Sequence, residues 1–167
     1  MIERNGQCRN QLVGILFIIG LALAMCIAEW FRETMQSALS FDRRAILEGE
    51  IFRIITGHFL QLNTSHLLMN LGGISLIFLV FYGIGNWAQM ALSIPIIAIF
   101  VSSGILIFEV NTIYYYGFSG ITHGLFSFGC ICLIKDGRNR YAILILSVLV
   151  AKIVGEQVGG PLPGSEA

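Results

Sequence analysis

The sequence predicts an all-α, polytopic membrane helix bundle, and three observations carry that prediction. Hydrophobic residues make up 56% of the 167 positions and charged residues 12%, about half the ordinary charged share. Mean hydropathy is +0.79. Residues 10–28, 54–108 and 110–134 contain no Asp, Glu, Lys or Arg, and a helix needs about 20 mostly apolar residues to cross a bilayer. The length suits one domain, 1–167, and not two. Ten basic and ten acidic residues cancel, which leaves no nucleic-acid footprint.

Five spans follow in order: 11–30, 64–82, 88–108, 113–134 and 141–158. The first is too long for a cleaved leader and other spans follow it. Leu23-Ala24-Met25-Cys26 fails as a lipoprotein signal, because Met25 stands where a small residue is needed. The second and third spans are joined by a tight connection, Tyr82 to Trp87. The fifth has the shortest uncharged core, 141–151, and Lys152 beyond it can snorkel or pair with Glu156 one turn on. Trp30, Tyr82, Trp87 and Tyr141 stand at span ends, where an aromatic belt is expected. Cys130 and Cys132 lack metal-site spacing and read as buried, inert thiols.

Residues 31–63 are too many for a plain link, and Glu48 to Phe59 is expected on the membrane surface. Basic residues split evenly between the two sides: Arg4, Arg9, Lys135, Arg138 and Arg140 against Arg32, Arg43, Arg44, Arg53 and Lys152. Three crowd the short connection 135–140, which favours a cytoplasmic amino terminus and an extracytoplasmic 31–63 segment.

Polar groups inside apolar spans face a cavity or carry function. Gln61, Asn63, Thr64, Ser65, His66 and Asn70 gather at the start of the second span. Asn63 or Thr64 can cap it; His66 and Asn70, four apart, share a face. They suit either helix-to-helix hydrogen bonds or a polar site. Tyr116-Gly117-Phe118-Ser119-Gly120 opens the fourth span. Counted from Ile113 at 1.5 Å per residue, Ser119 lies about 9 Å inside it. Gly120 and Gly124 have the small-xxx-small spacing of close helix contact. A serine at a helix start, beside free amides and the positive dipole end, suits a nucleophile at an oxyanion site. The same residues also suit an ordinary packing motif. Taken together, Ser119 can attack while His66 and Asn70 stabilise the oxyanion. A transporter using His58, His66 and His123 is disfavoured, since their spacing is no ligand pattern.

From Glu48 to Glu156 the chain resembles the rhomboid intramembrane serine proteases, closest to the bacterial rhombosortase subgroup. The carriers are Gly49 to Phe59 (GEIFRIITGHF), Leu62 to Asn70 (LNTSHLLMN) and Gly117 to Gly124 (GFSGITHG). The resemblance implies Ser119 as nucleophile within the Gly117 to Gly120 motif, with His66 and Asn70 lining the oxyanion pocket. Phe52-Arg53 matches a Trp-Arg pair, and Gln61 stands where relatives have a histidine. No cofactor is implied. Implied partners are the lipid bilayer and an exported membrane protein with a carboxy-terminal, Gly-Gly-bearing anchor; the implied location is the bacterial inner membrane. The family's base is a histidine on a sixth span, and no histidine follows His123. The sixth span is therefore expected to be missing, and 159–167 reads as an unfinished loop. Three accounts stay open: an enzyme cut short before that span, an inactive adaptor that binds client membrane segments, or His123 as the base. His123 leans toward Ser119 from four residues on.

Overall fold

The computed structural model describes residues 2–84 and 86–159. Gly85 of the tight connection and the tail 160–167 lie outside the described residues. The described chain is mostly helical: α1 (Ile2–Trp30), α2 (Arg32–Leu39), α3 (Arg43–Leu47), α4 (Arg53–Thr56), α5 (Thr64–Phe81), α6 (Trp87–Phe108), α7 (Ser119–Lys135) and α8 (Asn139–Gly159). Two short strands, β1 (Phe41–Asp42) and β2 (Tyr114–Tyr115), pair antiparallel, with Phe41 opposite Tyr115 and Asp42 opposite Tyr114. Three described helices are long and apolar enough to cross a membrane: Gly6–Trp30, Thr64–Phe81 and Trp87–Phe108. The apolar part of α7, Ser119–Lys135, is shorter.

Each long helix turns one stripe inward. Gly14, Leu21 and Met25 of α1 are buried, as are Ile74, Ile77 and Phe81 of α5, and Met90, Ile94 and Ala98 of α6. These positions recur at three or four residues, one helical face. α7 packs against α5, α6 and α8, while α1 lies on α5 and α6. Small residues set the closest approaches: a methyl at Gly124 would strike Ile97 of α6, and one at Gly129 would strike Phe81 of α5. The Gly120–Gly124 spacing read from the sequence thus faces α6.

Two sequence expectations need correction. Trp87 is fully buried and is no belt residue. Its indole lies over Gly14 of α1, where any side chain would collide, and its ring centroid is 6.2 Å from Phe17 and 5.4 Å from Phe78. Trp30, Tyr82 and Tyr141 are exposed. The fourth span does not begin as a helix at Ile113. Tyr114 and Tyr115 are held extended by β1, and the helix starts at Ser119, so depth along a helix from Ile113 does not apply. Aromatic residues favour a strand wherever a partner edge is offered.

The 31–63 segment builds that edge. Arg53 is buried; its guanidinium donates to the carbonyls of Ser40 (3.0 Å) and Ser37 (3.2 Å) and to Glu50 (2.6 Å). Thr56 adds a bond to the Leu39 carbonyl at 2.7 Å. Asp42 then caps α3 by accepting from the amides of Arg44 and Ala45. Arg43 closes the end of α6: it donates to the carbonyls of Ile105 (2.7 Å), Leu106 (3.0 Å), Glu109 (2.8 Å) and Thr112 (2.9 Å). The last four carbonyls of a helix lack internal partners, and one planar guanidinium reaches two of them, Ile105 and Leu106, together with two just beyond the helix. Arg43→Ala should lower unfolding stability in detergent by about 2–3 kcal/mol. Arg43→Lys should recover only part, because an ammonium cannot span the same fork.

Candidate functional site

Asn63 starts α5 by accepting the His66 amide at 2.8 Å. One turn further, His66 and Asn70 face inward at 7% and 4% exposure. Asn70 donates to Gln61 Oε1 at 2.6 Å, and Gln61, itself buried, donates to the Phe59 carbonyl at 3.3 Å. That bond orients the Asn70 amide and spends one of its two protons. The His66 ring packs on Gly117, and among the described residues its Nδ1 has no hydrogen-bond partner. Gly117 has φ +123°, a backbone region essentially reserved for glycine. A methyl there would also strike His66 Cε1.

Gly117 turns the chain from β2 into α7, so Ser119 becomes the first helical residue. Three consecutive amides, those of Ser119, Gly120 and Ile121, precede the first intrahelical donor, Thr122, which bonds to the Phe118 carbonyl at 2.9 Å. Amides at the start of a helix, which have no intrahelical acceptor, and the positive helix end both favour negative charge here.

His58, just before α5, is buried and braces the same turn. Ser102 donates its only proton to the Ile54 carbonyl at 2.8 Å, so its oxygen must accept from His58 Nε2–H at 3.0 Å. Ala98 O shares that proton at 3.2 Å. The Gly117 carbonyl also faces the ring, although no well-aligned bond closes at Nδ1. Burial pushes the His58 pKa below its ordinary 6.5, outweighing these carbonyls. His58 is neutral at pH 7.

Ser119, His66, Asn70 and His123 line one cavity of about 610 Å³. Its walls come from α5, α7, α8 and the 112–116 segment, and it combines apolar side chains with these few polar ones. Of the sequence candidates, these four meet at the cavity. Gly117 lies behind it against His66, and Gly120 faces Val101 of α6. His123 does not turn its Nδ1 to the Ser119 hydroxyl. That nitrogen donates to the Ser119 carbonyl at 2.6 Å, while Lys152 lies 3.4 Å from Nε2. Lys152 also pairs with Glu156 at 2.8 Å, as the sequence suggested.

The chain matches no protein-family model, no curated protein and no solved structure.

The arrangement offers a serine at a helix start that lines one cavity with an imidazole and a carboxamide from another helix. Such a set can hold a carbonyl carbon near the hydroxyl and its oxygen near the donors. Sequence reasoning missed Tyr115, Thr112 and the inward reach of Lys152 across to His123. The signal for Lys152 was its position near an apolar span; for Tyr115 it was only a run of three tyrosines.

Proposed function

We propose that this chain is a rhomboid-type intramembrane serine endopeptidase, similar to rhombosortases. Its clients would be exported proteins with a Gly-Gly-bearing carboxy-terminal membrane anchor. The observation that carries this reading is the shared cavity of Ser119, His66 and Asn70. In this reading α1, α5, α6, α7 and α8 span the bacterial inner membrane, the amino terminus is cytoplasmic, and 31–63 is extracytoplasmic. No cofactor is required.

Ser119 Oγ attacks the scissile carbonyl carbon and gives its proton to a general base, a role that the rhomboid resemblance assigns to a histidine outside the described residues. The oxygen becomes an oxyanion that accepts from the Ser119 amide, His66 and the free Asn70 N–H. Collapse expels the amine with a proton, and water then hydrolyses the acyl-serine. The cavity's polar lining gives water a route that lipid would deny.

A second reading, a non-cleaving adaptor that binds client membrane segments, is favoured by one observation. Both His123 nitrogens are occupied, by the Ser119 carbonyl and Lys152, so that imidazole is not poised to take the serine proton. The test is an anchored Gly-Gly reporter co-reconstituted with the protein in lipid vesicles. Cleavage should appear with the wild type and fall about a thousandfold or more in Ser119→Ala. Reporter retained on pull-down but never cut selects the adaptor. Neither retention nor cleavage overturns both readings.

A further inference from the structure

The cavity has a second, apolar end. Leu76 of α5, Phe126 of α7 and Leu149 of α8 line it together with Ser119, His66 and Asn70. Leu76 follows Asn70, and Phe126 follows Ser119, by two helical turns or nearly so, so the apolar end lies about 10 Å from the polar one. Leu76 is 50% exposed. The apolar end therefore opens on the flank of α5, a helix long and apolar enough to cross a membrane, where lipid chains would border it.

The polar end offers unspent donors. His66 is buried, and its ring makes no hydrogen bond with the described residues. Nδ1 is sealed without an acceptor, so the ring proton belongs on Nε2, the nitrogen a ligand can reach. Asn70 gives one amide proton to Gln61 and keeps the other. The Ser119 amide, at the start of a 17-residue helix, has no intrahelical acceptor, and the positive helix end attracts an anion. The charged pair on the α8 wall cancels itself: Lys152 holds both carboxylate oxygens of Glu156, at 2.8 and 2.9 Å.

We propose that the cavity binds a single-chain carboxylate, a fatty acid drawn from the bilayer, with its carboxylate at the start of α7 and its chain running toward Leu76. The proposal goes beyond the protease reading and does not need Ser119 to be a nucleophile. An ionised carboxylate only accepts, which matches His66 Nε2–H, the second Asn70 proton and the helix end. Its chain removes the apolar walls from water, and about 610 Å³ lies in the range of small-molecule sites. A ligand so placed covers Ser119 and excludes any client from it.

The probe is dodecanoate with a diazirine at its methyl end, photolysed with the full chain in phosphatidylcholine nanodiscs, and the adducts are mapped by mass spectrometry. They should saturate and gather around Leu76, Phe126 and Leu149. Plain dodecanoate should compete, and 1-dodecanol, with the same chain and no charge, should compete about tenfold less well; that comparison uses the wild type alone. His66→Phe keeps a ring without a donor and should weaken binding by a similar factor. Leu149→Trp, which fills the apolar end, should abolish the saturable adduct. Adducts scattered without saturation over the exposed faces of α1 and α6, or equal competition by dodecanol, overturn the proposal. Loss of the adduct when phosphatidylglycerol replaces phosphatidylcholine assigns the site to a phospholipid headgroup and overturns it as well. None of these readouts uses Ser119 reactivity, so the protease reading stands or falls separately.

Discussion

Gly117→Ala is expected to lose both stability and the site. The backbone there sits at φ +123°, and holding alanine in such a region costs about 1–3 kcal/mol. The added methyl would also meet the His66 ring. His66 has little room to retreat, since its own amide is pinned by Asn63 and its ring is buried. Either the ring or the turn into Ser119 must shift. A displacement of about 1 Å among positioned groups can cost a hundredfold in rate, so labelling of Ser119 should fall at least that far. Gly72→Ala is the control: nothing lies within 4 Å of the added carbon, and alanine favours a helix over glycine by about 1 kcal/mol. Its stability should hold or rise. Unfolding in detergent and labelling rate, measured on both variants, check the contrast.

Removing the proposed oxyanion donors should slow cleavage strongly with little effect on client retention. His66→Ala and Asn70→Ala should each cost about 10²–10³ in turnover, the range for loss of a single donor. Their double variant should fall well short of the product, because both serve one oxygen. Asn70→Ala carries an added structural cost: buried Gln61 Oε1 loses its donor, worth about 1–3 kcal/mol. Gln61→Leu separates the effects. It keeps the carboxamide but frees its orientation, so activity should drop less than in Asn70→Ala. Initial-rate kinetics on the reporter, with unfolding curves alongside, give the answer.

Much of the bundle was legible because apolar length is a strong signal. The expected spans 64–82 and 88–108 agree closely with Thr64–Phe81 and Trp87–Phe108, and Asn63 caps the first of these as its side chain allows. The polar clusters were legible for the same reason: His66, Asn70 and Ser119 stand out against apolar neighbours. What stayed hidden depends on contacts distant in sequence. Tyr114 and Tyr115 are extended only because Phe41 and Asp42 come alongside, about 70 residues earlier in the chain. Trp87 is buried only because Gly14 leaves a gap on another helix. Arg43 counted in the sequence merely as a positive charge, yet four carbonyls around the end of α6 surround its guanidinium. His123 was expected to lean back toward Ser119 and does, but onto the carbonyl. Side-chain direction follows from helix geometry; the choice between two oxygens of one residue does not.

The most direct measurement is peptide mapping of the fluorophosphonate adduct after treating the folded chain in lipid. The adduct should sit on Ser119, vanish in Ser119→Ala and persist in Ser127→Ala, whose hydroxyl is spent on the His123 carbonyl at 3.0 Å. No adduct, or one carried equally by another serine, would contradict the assignment of Ser119 as a nucleophile.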